Sequence, residues 1–102
     1  MSVALIVKDA NSQSSLVLVA TEATYRTVWQ DGAKALGLDW VAALQAGVVV
    51  TEENRGIILE QLQSLRGWFE ANGYAPLLER VELVTKALKA VRFDQGETAW
   101  IG

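Results

Sequence analysis

The most regular pattern in this chain is a stripe of apolar residues near its carboxyl end. The stripe repeats at intervals of four, three, four and three residues, through Leu77, Val81, Val84, Leu88 and Val91. This spacing is typical of one face of an α-helix, but it covers only about two heptads, fewer than a coiled coil needs. The stripe therefore predicts an amphipathic helix that packs against other elements of the same domain.

A second amphipathic helix is predicted just before this one. Its apolar face is marked at intervals of four, three and four residues by Ile58, Leu62, Leu65 and Phe69. Thr51 precedes it as a suitable N-cap, and Glu52 and Glu53 favour the positive end of the helix dipole. Asn72-Gly73 ends the helix, and Pro76 suits the first turn of the next one. The two helices are expected to pack as an antiparallel pair.

Short runs rich in β-branched residues predict the strands. Residues 3–7 (VALIV) and 16–20 (LVLVA) are separated by a polar stretch and suggest a hairpin. The stretch lacks the Asn-Gly or Asp-Gly of a tight turn, so a longer loop and a non-adjacent pairing both stay open. Val48 to Val50 form the clearest strand, and Glu97 to Ile101 (ETAWI) are a candidate closing strand.

Between the second and third predicted strands lies a further amphipathic helix, which starts after the N-cap Thr21 and ends at Gly37. Asp39 then caps a short helical turn. The predicted order is β-β-α-(α)-β-α-α-(β). We expect residues 1–102 to form a single α+β domain, in which two or three amphipathic helices cover a small, mostly antiparallel sheet of three to four strands.

The composition disfavours most catalytic chemistry. The chain has no histidine and no cysteine, so neither a Ser-His-Asp triad nor a zinc site of the usual Cys/His type can be built. The stretch from Gly47 to Thr51 lacks the glycine pattern and the lysine of a phosphate-binding loop. We therefore expect a protein that is not an enzyme, with no catalytic, metal-binding or cofactor-binding residues and no cofactor.

One loop resembles the start of a calcium-binding loop. Oxygen-bearing residues alternate from Asp9 through Asn11 to Gln13. The resemblance ends there, because Ser14 stands where the loop needs glycine and Ala20 where it needs a bidentate glutamate. The stretch is therefore expected to be a solvated loop.

The apolar content points to a protein partner. Hydrophobic residues make up 51% of the chain, and the 8 glycines come in addition, which exceeds the usual share. A small domain cannot bury all of this surface, and large exposed apolar patches usually mark interfaces. We expect a homodimer. Of the four tryptophans, Trp29 and Trp68 are expected in the core; the candidate interface residues are Trp40, Leu83, Trp100 and Ile101.

The net charge and the hydropathy of the chain argue against two further classes of partner, nucleic acids and membranes. The net charge is −3 and no basic tail or arm is present, which disfavours nucleic acid. The longest uncharged run, from Trp40 to Thr51, is too short to cross a membrane, and the amino terminus does not resemble a signal peptide. We expect a cytoplasmic protein that does not engage membranes.

Three functions remain as hypotheses. The leading one is a non-enzymatic protein-binding or regulatory module that acts through an apolar, tryptophan-containing surface as a homodimer. The first alternative is a small acidic inhibitor of a basic enzyme, immunity- or antitoxin-like, with carboxylates clustered around Glu52, Glu53 and Glu60. The second is a small-ligand-binding protein in which arginines orient an anion; the candidates are Arg26, Arg55 and Arg66.

Overall fold

The computed structural model describes residues 2–102 and contains a four-stranded sheet. Its strands are β1 (Ser2–Lys8), β2 (Ser14–Thr21), β3 (Val48–Val50) and β4 (Thr98–Ile101). They lie in the order β2-β1-β4-β3, and all three neighbouring pairs are antiparallel. The predicted α+β class and the predicted order of elements are confirmed, including the closing strand.

Helices connect the second, third and fourth strands. One continuous helical segment consists of α1 (Glu22–Thr24), a π-helical stretch (Tyr25–Trp29) and α2 (Gln30–Leu36). It is followed by α3 (Asp39–Ala42), α4 (Glu52–Ala71) and α5 (Leu78–Ala90). Short 3-10 turns lie at Leu44–Ala46, Ala75–Leu77 and Phe93–Gln95. Within residues 2–102, no helix combines the length and the apolar character needed to cross a membrane.

Local side-chain chemistry sets the helix boundaries. The Thr21 hydroxyl accepts the Thr24 N–H at 3.2 Å and caps α1. Gly37 ends α2 with a φ of 68°, a conformation that favours glycine. At α4, Thr51 and Asn54 form a reciprocal capping box, with hydrogen bonds of 3.2 and 2.7 Å. The caps predicted at Thr21 and Thr51 and the stop at Gly37 are therefore confirmed.

The hairpin between β1 and β2 closes through a backbone turn that the Asp9 side chain supports. The Ser12 N–H donates to the Asp9 carbonyl at 3.0 Å, and the Asp9 N–H donates to the Gln13 carbonyl at 2.9 Å. One carboxylate oxygen of Asp9 accepts the N–H groups of Asn11 and Gln13, each at 2.9 Å. Ser12 completes the turn with a φ of 62°. Asp9 thus satisfies backbone donors of its own loop, as Asx turns do.

The core lies between the helices and one face of the sheet. The apolar stripes of α4 and α5 meet there: Ile58, Leu62, Leu65, Phe69, Val81, Val84 and Leu88 are all at most 1% exposed. Trp29 packs edge-on against Phe69, with ring centroids 5.6 Å apart. Full burial of each large apolar side chain stabilises the fold by about 1.5–3 kcal/mol. The antiparallel helix pair predicted from the stripes is thus part of the core.

The π-helical stretch is tied to α3 by a buried hydrogen bond. Tyr25 and Trp29, at its two ends, are fully buried. The Tyr25 hydroxyl donates to the Val41 carbonyl at 2.5 Å and accepts from the Gln30 amide at 3.3 Å. Burial raises the pKa of Tyr25 above its ordinary value, because the charged phenolate would lose its hydration.

Candidate protein-binding surface

One face of the sheet points away from the helices. Side chains alternate between the two faces of a strand, so neighbouring residues differ sharply in exposure. In β3, Val48 is 7% and Val50 2% exposed, whereas Val49 between them is 64% exposed. In β4, Ile101 is fully buried while Trp100 is 42% exposed. The inner face joins the core, and the outer face is left uncovered.

The strand register aligns four large apolar residues across this outer face. Ile6 in β1 lies opposite Leu16 on one side and opposite Trp100 on the other. Trp100 in turn lies opposite Val49. We call Leu16, Ile6, Trp100 and Val49 the apolar row. It runs across all four strands, about 14 Å at the usual strand spacing, and its end residues Leu16 and Val49 are each 64% exposed.

Two glycines make room for the indole of Trp100. Gly102 extends β4 by exchanging two backbone hydrogen bonds with Ala4, at 3.0 and 3.1 Å. A Cβ atom on Gly102 would collide with the Trp100 ring, and one on Gly47 would lie 3.3 Å from the Trp100 Cζ2 atom. Both glycines are therefore part of the surface that holds the indole.

Different side chains flank the apolar row on its two sides. On one side Lys8 lies opposite both Ser14 and Thr98; on the other Ala4 lies opposite Leu18. These five residues and the apolar row together are called the open face. Lys8 is its single charged residue and forms no ion pair within residues 2–102. A hollow of about 360 Å³ indents the face and is lined by Ile6, Lys8, Val49, Thr98, Ala99 and Trp100.

The four residues predicted from the sequence as an interface do not share one surface. Trp100 lies on the open face, and Leu83 lies on α5, where it is 44% exposed. Trp40 is half-buried in the first turn of α3 and packs against the core. Ile101 is fully buried, because adjacent residues of a strand point to opposite faces. The structure instead groups Trp100 with Ile6, Leu16 and Val49, which the sequence reasoning missed.

The arginines considered as ligand-orienting residues are engaged within the chain. Arg55 donates to the carbonyls of Leu88 and Val91 at 3.3 and 2.7 Å, and its guanidinium lies 4.9 Å from the centre of the Phe93 ring. Arg66 forms ion pairs with Glu82 at 2.7 Å and Glu70 at 3.3 Å. Arg26 pairs with Glu22 at 3.5 Å. The contacts of Arg55 and of Arg66 with Glu82 link α4 to α5 and its end, whereas the Arg26 contact lies within one helical segment, so these three arginines do not converge on one site.

Comparisons of the chain with protein-family models, with curated proteins and with solved structures find no match. No residue role can therefore be transferred from a relative. Because a fold class alone does not fix a function, the open face has to be interpreted from its own geometry and chemistry.

Proposed function

We propose that the protein is a non-enzymatic protein-binding module that acts through the open face. The observation that carries this proposal is the apolar row, which spans all four strands on the side of the sheet that the helices leave uncovered. Within residues 2–102, six large apolar side chains are exposed. Three of them lie in this row, namely Leu16, Val49 and Trp100. Contiguous apolar surface of this kind usually marks an interaction site.

The residue types of the open face support a protein partner. Tryptophan is enriched among residues that contribute most to binding, because its large ring buries much area while losing little conformational freedom. Trp100 lies inside the row with Ile6 and Val49 on either side. Its exposed ring is therefore surrounded by apolar side chains that a partner can also cover, which is the usual arrangement at the centre of an interface.

The shape of the face also favours a protein over a small molecule. Small-molecule sites are concave and enclose most of their ligand. The hollow of about 360 Å³ on the open face is open to solvent, because Val49 and Trp100 in its lining are 64% and 42% exposed, and the apolar row continues beyond it to Leu16. A broad, open apolar strip matches the surface of another protein better than it encloses a ligand.

The experiment replaces one side chain of the row by a charged one. Val49→Lys puts an ammonium group in the row while leaving the inner residues Val48 and Val50 unchanged. Leu36→Lys is the matched control, because Leu36 is 44% exposed at the end of α2, away from the sheet. Wild type and both variants are immobilised, and the proteins retained from an extract of the source organism, and from added free chain, are quantified by mass spectrometry.

We expect Val49→Lys to reduce retention at least about tenfold, since burying an unpaired charge in an interface costs several kcal/mol. Leu36→Lys should retain the same proteins as wild type. Circular dichroism and thermal melting verify that both variants are folded. Equal retention by wild type and Val49→Lys contradicts the proposal.

A second candidate function is a small acidic inhibitor of a basic enzyme. Glu53 and Glu60 lie seven residues apart on α4, so they share one side of the helix, and both are exposed. Ile57, on the same side, is 46% exposed. If this surface binds a basic enzyme, the amount of enzyme that the immobilised chain retains should fall steeply as the salt concentration rises. It should be lost in the double variant Glu53→Gln, Glu60→Gln. Retention that does not change with salt argues against this function.

A further inference from the structure

We propose that a pocket at the end of β2 binds a small organic carboxylate, whose charge is held by Arg80. The pocket lies between the last residues of β2, the helix α1 and the 3-10 turn that leads into α5. Of the residues that line it, only Leu18 belongs to the open face. The proposal therefore goes beyond the protein-binding function and does not depend on it.

Arg80 is the charged residue of this pocket, and it has no carboxylate partner. Its side chain is half-buried in the first turn of α5, and its single hydrogen bond goes to the Leu18 carbonyl at 3.2 Å. Within residues 2–102 it forms no ion pair, not even with its exposed neighbour Glu79. A guanidinium group carries five N–H donors, so most of them are left for a ligand. Because a cation that has lost part of its hydration is stabilised by an opposite charge, Arg80 favours an anion.

A buried donor in the wall of the same pocket lacks an acceptor. Trp29 lines the pocket, and its indole Nε1 is the one buried side-chain nitrogen or oxygen within residues 2–102 that has no hydrogen-bond partner. Buried polar groups are almost always paired, so an unpaired N–H beside a pocket points to a ligand that supplies the acceptor. Since Nε1 is shielded from solvent, we expect a ligand oxygen to reach it only as neighbouring side chains shift. Trp29 also ends the π-helical stretch, and such stretches are frequent at functional sites.

The remaining lining residues select the kind of anion. The hydroxyls of Thr21 and Thr24 add two donors, because neither of them donates to an acceptor within residues 2–102. No aspartate or glutamate lines the pocket, and its other walls include the apolar residues Val19, Ala20 and Leu77. One guanidinium group matches a carboxylate through two parallel hydrogen bonds. A phosphate group would bring additional charge without a second cation to balance it, so we expect a carboxylate with an apolar body.

The volume of the pocket limits the size of that body. The pocket measures about 250 Å³, slightly below the range of sites that hold drug-sized molecules. A water molecule occupies about 30 Å³ in the liquid, so the pocket holds about eight groups of that size. Hexanoate is a carboxylate of about this size and is therefore a suitable probe.

Proton–nitrogen correlation NMR of the wild-type protein tests the proposal. The indole N–H signals of the tryptophans are observed directly, and a Trp29→Phe variant identifies the signal of Trp29. Hexanoate is titrated in parallel with hexanamide, which has the same body without the charge, and with inorganic phosphate, which has charge without the body. We expect hexanoate to shift the Trp29 signal with a dissociation constant of about 1 mM or below, and the other two compounds to leave it in place.

Two matched variants test the role of Arg80. Arg80→Gln keeps a donor for the Leu18 carbonyl but removes the charge, and it should raise the dissociation constant of hexanoate at least about tenfold. Arg26→Gln is the control, because Arg26 is exposed on the same helical segment as Trp29 and does not line the pocket. It should bind hexanoate as wild type does, and so should Val49→Lys on the open face. Circular dichroism verifies that the variants are folded.

The outcomes that overturn this proposal leave the protein-binding function untouched. Hexanoate that shifts no indole signal of the wild-type protein refutes the site without reference to any variant. Equal binding of hexanamide refutes the recognition of charge, and equal binding of phosphate refutes the requirement for an apolar body. Hexanoate binding that Arg80→Gln leaves unchanged places the site elsewhere and also refutes the proposal.

Discussion

Gly32 lies where α2 packs closely against α4, and we predict that even a methyl group there destabilises the protein. A Cβ atom at Gly32 would lie 2.5 Å from the Leu65 Cδ1 atom and 2.9 Å from the Trp68 Cε3 atom. Leu65 is fully buried and cannot turn outward. Forcing extra volume into a packed core costs about 1–3 kcal/mol.

The helix propensity of alanine acts in the opposite direction and reduces this loss of stability. Alanine is favoured over glycine in a helix interior by about 1 kcal/mol. With overpacking of about 2 kcal/mol, Gly32→Ala should therefore lower the free energy of unfolding by about 1 kcal/mol. The structure supplies two matched controls, Gly56 and Gly67 in α4, where an added Cβ would meet no heavy atom within 4 Å. Gly56→Ala and Gly67→Ala should each raise the free energy of unfolding by about 0.5–1 kcal/mol.

Urea denaturation followed by circular dichroism measures all three variants, and equal m-values confirm that the unfolding reaction is unchanged. For a domain of this size, 1 kcal/mol corresponds to a shift in Tm of about 4–8 °C. The prediction is that Gly32→Ala lowers the free energy of unfolding, whereas Gly56→Ala and Gly67→Ala raise it. If Gly32→Ala stabilises the protein as the controls do, the close approach of α2 to α4 is refuted.

Two further predictions concern buried polar contacts. Tyr25→Phe removes the donor to the Val41 carbonyl and should lower the free energy of unfolding by about 1–3 kcal/mol. Because burial raises the pKa of Tyr25 above 10.0 in the folded state, wild type should keep this stabilisation below pH 10 and lose it as pH rises toward the folded-state pKa. A urea midpoint that falls equally in wild type and Tyr25→Phe above pH 10 contradicts this assignment. Arg55→Met removes the cation that binds the carbonyls at the end of α5 and faces the Phe93 ring, and should cost about 1–3 kcal/mol. Arg26→Met, which breaks an exposed pair on one helix, should cost no more than about 0.5 kcal/mol, and thermal melts that give the two variants equal losses argue against the role of Arg55.

The helix caps and the buried helix faces were predictable, because they depend on residues that are close in sequence. The hydroxyls of Thr21 and Thr51 cap helices because short polar side chains satisfy the free N–H groups of a first turn. The stripe on α4 is buried because residues three and four apart share a helix face. These signals depend on residues close in sequence, so one chain suffices to recognise them.

The open face was not predictable in the same way. Residues 3–7 and 16–20 are apolar at every position. Their sequence therefore shows no alternation of apolar and polar residues and does not tell which face of each strand points outward. Which side chains align depends on the register between strands far apart in sequence, such as Ile6 opposite Trp100. Ile101 is a different case, because strand alternation already puts the adjacent residues Trp100 and Ile101 on opposite faces. What the sequence could not show is which of the two faces the helices cover.

The apolar residues that stay exposed on the strands lie together, and the packing of the helices explains why. The outer faces of α4 and α5 carry exposed charged residues such as Glu60 and Glu82, with Ile57 and Leu83 exposed singly among them. The strands, by contrast, are apolar on both sides, and their exposed apolar residues adjoin one another. The buried residues of α2, α3, α4 and α5 all join one cluster with inner-face residues such as Leu5 and Ile101. With every one of these helices on the same side, nothing within residues 2–102 remains to cover Leu16, Trp100 and Val49. The helices thus cover one face of a sheet that is apolar on both, and the uncovered face is the surface on which the proposed protein binding rests.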